Sequence, residues 1–254
     1  MSLCDPIILR GMALVETVLR HGRPGVLELA VVRGGSASGL ARVVRLAESA
    51  GVPVRWVERA ETETAAGEEP VEVALTLAER TPTPLDEAVP AGAPGPVLLV
   101  VMAGVEDPHN LGTILRTALA AGAAAVVLEK HASNLPRDVV ARSSAGASEC
   151  LPLVLADDLA LTLEVLEAKS VTTVAEACAE GEDLFSAKLP ERIALVIGGE
   201  RRGISRRVLE ACRRTVTIPT AEAVQSLPAA AAAAIAMFEI VRRRRSPQMP
   251  NRKA

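Results

Sequence analysis

The chain has 254 residues, 49% of them apolar, and a formal net charge of −3. That length allows one large domain or two, with ample material for a core, and the slight negative balance argues against a uniformly basic nucleic-acid binder. The only aromatic residues are Trp56, Phe185 and Phe238, so packing must rest on Val, Leu, Ile and Ala, and an aromatic base-stacking platform is not expected.

In chain order, the opening "MSLCDPIILRGMALVETVLR" mixes Asp5, Arg10 and Glu16 into its apolar residues and does not read as a signal peptide. No apolar run reaches the length of a membrane span, so a cytoplasmic protein with no membrane contact is expected. Periodicity then gives a helix "GMALVETVLRHG", a strand "VLELAVVRG", a helix "SGLARVVRLAESAG", a strand "VPVRWVE", a polar bridge and a strand "VEVALTL". These form a small α/β unit over residues 1–80. Arg10, Arg20, Arg23, Arg33, Arg42 and Arg45 would give it a basic face, although ordinary solvated helix surfaces account for them equally well. The stretch "AERTPTPLDEAVPAGAPGP", Ala78 to Pro96, has five prolines and no helical or alternating period, and places a linker over 81–96.

Beyond it, "VLLVVM", "AAVVLE", "CLPLVLA", "VTTVAEA", "IALVIGG" and "TVTIP" alternate with helical or loop segments. That rhythm predicts a mostly parallel sheet covered on both faces, over residues 97–246. Cys4, Cys150, Cys178 and Cys212 are far apart, as are His21, His109 and His131, so reduced buried thiols and no metal site are expected. Positive charge is concentrated late and is nearly all guanidinium. Glu200 to Arg214 holds six arginines against two acids, and Arg242 to Ala254 holds five arginines and one lysine with no acid, ending in a basic tail, 247–254. Guanidinium suits bidentate phosphate contacts, as it suits solvated helix faces.

Three strand exits carry polar groups where open α/β sheets place chemistry. After "VLLVVMAG", Asp107 and Pro108 turn the chain, and Asn110, Gly112 and Arg116 follow on a helix; alone, this is also what a capped helix with a surface arginine looks like. In "ALVIGGERRGIS", paired glycines suit close approach of backbone to a ligand and Glu200 follows at once. Neither a dinucleotide fingerprint nor a P-loop is present. In "VTIPTAEAVQSLPAAAAAAIAMFEIVRRRR", Ser226 is placed as N-cap with Pro228 in the first turn of an alanine-rich helix.

In sequence order, "DPHNLGTILRTALAAG", "SSAGASECLPL", "LVIGGERRGIS" and "IPTAEAVQSLPAAAAAAIAMFE" resemble the motifs of the SpoU/TrmH family of RNA ribose 2'-O-methyltransferases, in the SPOUT superfamily, across Val97 to Arg245. The leading unit resembles the family's ribosomal-protein-like RNA substrate-binding domain. The resemblance implies an α/β, trefoil-knotted, mostly parallel sheet with a smaller N-terminal α/β domain. It also implies a homodimer that binds S-adenosyl-L-methionine and RNA, with ribosomal RNA favoured over transfer RNA. Matching positions for the cofactor are Gly198, Ile218 and Leu227, with Gly199 and Thr220 beside them. The catalytic motif positions fall on Asn110, Arg116, Glu200 and Ser226. A guanidinium with a pKa above about 12 is a poor base, so Arg116 is expected to orient ribose or phosphate. One position departs: Pro228 stands where the family has asparagine, which keeps open a non-catalytic RNA-binding relative. An unrelated nucleotide-binding α/β enzyme is the remaining alternative, disfavoured by the missing phosphate-loop patterns.

Overall fold

Two sheets organise the chain in the computed structural model, which describes residues 3–22, 24–35, 39–58, 71–90, 92, 94–177, 181–221 and 226–245. Arg23, Cys178 and the expected tail 247–254 lie outside the described residues.

The first sheet has four strands, β1 (Ile7–Arg10), β2 (Val26–Val32), β3 (Val54–Val57) and β4 (Val73–Leu77), in the order β1-β4-β2-β3. β2 and β3 run parallel; β4 is antiparallel to β1 and β2. Helices α1 (Met12–His21) and α2 (Leu40–Ser49) place Val15, Val18, Leu19, Val43 and Ala47 on Ile7, Leu9, Leu29, Val31, Leu75 and Leu77. The strand β1 was not marked by the sequence pattern. Four residues are too few for a period, and it is the pairing with β4 that makes this segment a strand.

The second sheet has seven strands: β5 (Val97–Ala103), β6 (Ala125–Glu129), β7 (Leu153–Ala156), β8 (Thr172–Glu176), β9 (Glu182–Asp183), β10 (Arg192–Gly198) and β11 (Arg214–Thr217). Their order is β7-β6-β5-β10-β8-β11-β9, and every pairing is parallel. Both faces are buried, which is why these strands read as unbroken apolar runs. From β5, Leu98, Val100 and Met102 enter one layer with α4 (Pro108–Ala120) and α8 (Ala229–Arg245). Leu99, Val101 and Ala103 enter the other, with α6 (Leu159–Ala168) and α7 (Arg206–Ala211). Each fully buried Leu or Val contributes roughly 1.5–3 kcal/mol of burial.

The segment expected to lack periodicity carries a single helical turn, α3 (Leu85–Ala88), and Val89 behind it is buried on the α6 side of the sheet. Thr83 N donates to Leu153 O at 2.7 Å, so this stretch is held along β7. Prolines set its path without dictating whether it packs.

The two sheets meet at α5 (Arg137–Ser143) and the 3-10 turn Ala147–Glu149. Arg137 is fully buried and pairs with the equally buried Glu149, its Nη2 to Oε2 at 2.8 Å. Its Nη1 also donates to the carbonyls of Asp5 and Ala78. One guanidinium therefore ties both ends of the first sheet's chain to the second unit. Removing one partner of such a pair costs about 3–5 kcal/mol, because the other charge is left buried. The motif "SSAGASE" thus has a structural task here.

At the end of α8, arginines that the sequence left open between phosphate contacts and a solvated face are used internally. Arg243 donates to the carbonyls of Leu184, at 2.8 Å, and Ala187, and Arg244 donates to Val97 O and Glu191 O. Arg242 and Arg243 also flank the buried Glu239, with Arg242 Nε to Oε2 at 2.7 Å. Carbonyls exposed at the sheet's edge recruit the guanidinium groups that the sequence shows only as a positive run.

The Arg242 hydrogen bonds, with Arg243 behind them, overcome burial and hold the Glu239 carboxyl down to about 2 against an ordinary 4.5. A depressed carboxylate contributes its stability fully above the ordinary value and loses it as pH falls towards the folded one. Glu239→Gln should therefore unfold at a lower temperature than wild type near neutral pH, and the gap should close between about pH 4.5 and 2. Thermal melts across that range test this; a gap independent of pH contradicts it.

Candidate active site

In the second sheet the chain order reverses between β5 and β10: β6 and β7 lie outward from β5, while β8, β11 and β9 lie beyond β10. Such a reversal opens a crevice at the carboxyl ends of the strands. A cavity of about 630 Å3 lies there, lined by the ends of β8 (Glu176, Ala177) and β10 (Gly198, Gly199), the loop Glu200–Ile204 without Arg201, and the approach to α8 from Ser226 to Ala229.

Its walls are set by backbone meeting backbone. A Cβ on Gly199 would stand 1.9 Å from Gly104 O, and one on Gly198 would stand 2.6 Å from the carbonyl carbon of Gly203. Gly199 N donates to Ala103 O at 2.7 Å, and Gly203 N to Gly199 O at 3.0 Å. Gly199 is thus required by the crossing of the two loops and Gly198 by the return of its own loop, different constraints from the ligand approach expected of them. Gly104 N in turn donates to Glu129 Oε2 at 2.6 Å, so an acid at the end of β6 pins the exit of β5.

That exit places the first motif. Asp107 caps α4 by accepting from His109 N at 2.8 Å, with Pro108 behind it in the first turn. Leu111, Ile114, Leu115 and Ala118 face the core, and Gly112 lies against α5, where a Cβ would meet Ser143 Oγ at 1.9 Å. Asn110 is left at the mouth of the crevice. Its Nδ2 donates to Glu200 Oε1 at 2.6 Å. A carboxylate only accepts, so this bond fixes the amide with Nδ2 towards Glu200.

The structure therefore brings Asn110 to Glu200, and Glu200 to Gly198, Gly199, Ser226 and Leu227 around one cavity. It does not bring Arg116 there. Six residues along a helix is 240° of rotation, and Arg116 is exposed on another side of α4. Ile218 packs partly buried against the sheet core and Thr220 is exposed; neither lines the cavity.

Ser226 lies two residues ahead of the cap position expected for it. The carbonyl of Pro228 accepts from Ala231 N and Ala232 N at 2.9 and 3.0 Å, so Pro228 is itself the cap residue and α8 starts at Ala229. Proline lacks only a side-chain cap and an N–H unused there.

The two charged lining residues besides Glu200 were missed: Glu176 and Arg202. The signal for Glu176 was available as the acid closing "VTTVAE". Burial raises its carboxyl above the ordinary value. Burial, with the Glu167 carboxylate nearby, pushes the Cys212 thiol up to about 12, which excludes it as a nucleophile near neutral pH. Among the described residues, no group of His, Cys, Asp and Glu is arranged to hold a metal, and no helix is long and apolar enough to cross a membrane.

Comparison with known proteins follows the same site. Residues 97–238 match the SpoU rRNA Methylase family. The chain is 34% identical over 238 residues to the 23S rRNA (guanosine-2'-O-)-methyltransferase RlmB of Ralstonia nicotianae, covering 93% of this chain and 96% of that protein. Against the protein of the same name from Haemophilus influenzae it is 34% identical over 242 residues, covering 92% and 96%. Among solved structures, the SpoU methyltransferase AviRb from Streptomyces viridochromogenes in complex with the cofactor AdoMet is similar with a TM-score of 0.77 and 26% identity, covering 96% of this chain and 92% of that one.

Proposed function

The chain belongs to the SpoU rRNA Methylase family, and on that premise we propose that it transfers the methyl group of S-adenosyl-L-methionine to a ribose 2'-hydroxyl, in ribosomal RNA rather than transfer RNA. The observation that carries this is the Asn110 to Glu200 bond at the mouth of the cavity. Near full-length likeness to relatives named as 23S rRNA methyltransferases supports the RNA class, and the AdoMet-bound neighbour supports the cofactor. The action belongs in the cytoplasm, with the RNA.

A cavity of this size, bounded by glycine backbone and by Leu227, fits a nucleoside cofactor. Gly198, Gly199 and Leu227 would hold it, with Ile218 and Thr220 shaping the segment behind. When bound, the cofactor supplies an electrophilic methyl group on sulfonium sulfur. What the protein contributes is placement. With Nδ2 committed to Glu200, the Oδ1 of Asn110 is the atom presented to a hydroxyl, where it accepts the hydrogen bond and aims the oxygen lone pair, the proton released on transfer passing to water because an amide oxygen is too weak a base to take it. Ser226 Oγ lies at the same mouth as a second polar contact. Holding the reacting groups within near-attack distance supplies much of the acceleration. Arg116, outside the cavity and exposed, engages a phosphate of the RNA. The domain limits 1–80, 81–96 and 97–246, and the knot, stand with this family assignment as proposals, the leading unit serving to bind RNA.

The same function is carried by a homodimer. α8 turns Ala229, Ala233, Ala236 and Met237 inward, with Ile235 and Val241 partly buried against the same core, and leaves Phe238 48% exposed on its other side. A large apolar side chain exposed on a helix that packs against α4 is suited to burial against a second copy. The binding-only alternative rests on Pro228, which lines the cavity in place of a carboxamide.

Labelled methyl transfer to RNA from a strain lacking the protein tests the activity. Wild type should label ribose 2'-oxygen, and Asn110→Ala should lose about 10²- to 10³-fold in rate with affinity for S-adenosylhomocysteine nearly unchanged. Equal loss of both would move Asn110 into cofactor binding or folding. Wild type that binds both partners without transfer, and gains activity on Pro228→Asn, establishes the binding-only relative. Light scattering at micromolar concentration should report a dimer, and Phe238→Asp should shift it towards monomer; a monomeric wild type removes the homodimer.

A further inference from the structure

Two acids at the carboxyl ends of the second sheet are engaged across the crevice, and a third, half-buried one is not. Glu129 accepts from Gly104 N and Glu200 from Asn110 Nδ2. The side-chain carboxylate of Glu176, the last residue of β8, has no hydrogen-bond or ion-pair partner among the described residues. It sits in register between Ile197 of β10 and Val216 of β11. Val174, two residues back and on the same face, is buried in the layer that includes α8, whereas Ala175 belongs to the opposite layer. Glu176 thus faces the α8 side, where it lines the cavity with Ala229 and Ala232.

A partly buried carboxylate with no partner among the described residues is costly, and the upward shift of its carboxyl reflects that burial. Donors brought by a ligand would remove the cost. A carboxylate offers two acceptor oxygens and no donor, so its match is a group carrying two donors side by side. The cavity's cation is Arg202, on the loop after β10, which suits the carboxylate of an amino-acid tail and leaves the nucleoside end for β8. An acid at one strand end beside a glycine turn on its neighbour is also how open α/β sheets hold a nucleoside ribose.

We propose that Glu176 is a cofactor-binding residue whose carboxylate accepts hydrogen bonds from the vicinal ribose hydroxyls of the adenosyl group. This rests on the cavity taking S-adenosyl-L-methionine. Glu176 then fixes the nucleoside end, so that the methyl group reaches the Asn110 side of the cavity. It is distinct in kind from the backbone contacts of Gly198, Gly199 and Leu227, because it reads the sugar.

Calorimetry on the full chain separates the possibilities, using S-adenosylhomocysteine, 5'-methylthioadenosine and 2'-deoxy-5'-methylthioadenosine with wild type, Glu176→Gln and Glu176→Ala. Wild type should bind the first two and lose about tenfold or more on the deoxy compound. Glu176→Ala should weaken the first two by one common factor, about ten- to hundredfold, and should no longer distinguish the deoxy compound. Glu176→Gln, with one acceptor oxygen, should fall between them while melting at the wild-type temperature. If Glu176→Ala weakens S-adenosylhomocysteine but not 5'-methylthioadenosine, the carboxylate holds the amino-acid end and the proposal is wrong. Deoxy discrimination that survives in Glu176→Ala also overturns it. Wild type that binds none of the three fails at the earlier step, the cofactor assignment itself.

Discussion

The parallel pairing of β5 with β10 is the constraint on which the candidate site depends. The strands run in step from Val97 opposite Arg192 to Ala103 opposite Gly198, and Gly199 continues the ladder by donating to Ala103 O at 2.7 Å. Immediately beyond, the backbone at Gly199 rests on Gly104 so closely that no side chain fits between them. Two loops far apart in sequence leave the sheet from one point. Asn110 on the first can then meet Glu200 on the second, and the cavity opens behind them. A shift of β10 by one residue would turn its side chains to the opposite faces and part the two polar groups.

Guanidinium groups are divided between holding the fold and facing outward. Arg137 sits at the junction of the two sheets, and Arg243 and Arg244 close carbonyls at the foot of the second. In the arginine-rich stretch after Glu200, Arg206, Arg207 and Arg214 pair with Glu210, Asp158 and Glu182. Arg116, Arg201 and Arg202 remain exposed, Arg202 lining the cavity itself. On the proposed function the charge that meets RNA phosphates falls to these residues. Net composition hides the arrangement, because an arginine that satisfies carbonyls counts the same as one that faces solvent.

The second sheet was legible because strands buried on both faces announce themselves as short aliphatic runs. Five of its strands coincide closely with "VLLVVM", "AAVVLE", "VTTVAEA", "IALVIGG" and "TVTIP". The two residues of β9 carry no such signal. Strand order was not legible either: nothing in β10 says that it inserts between β5 and β8, and only that insertion joins Asn110 to Glu200. Motif order marked Gly198, Gly199, Glu200, Ser226 and Leu227, which do share a cavity. The family resemblance put Arg116 with Asn110, and in the structure Arg116 is exposed outside that cavity. Nothing in the sequence singled out Arg137 and Glu149, since burial of a charged pair depends on what packs over it, which residue type does not encode.

The central claim is that Asn110 and Glu200, joined across β5 and β10, act as one unit on the ribose hydroxyl. A double-mutant cycle on the single-turnover rate of methyl transfer, with Asn110→Ala, Glu200→Ala and the pair, tests it most directly. Groups that work as a unit are strongly non-additive. The double variant should therefore be no more than a few-fold slower than the slower single one. Losses that multiply would show two independent contributions and contradict the account.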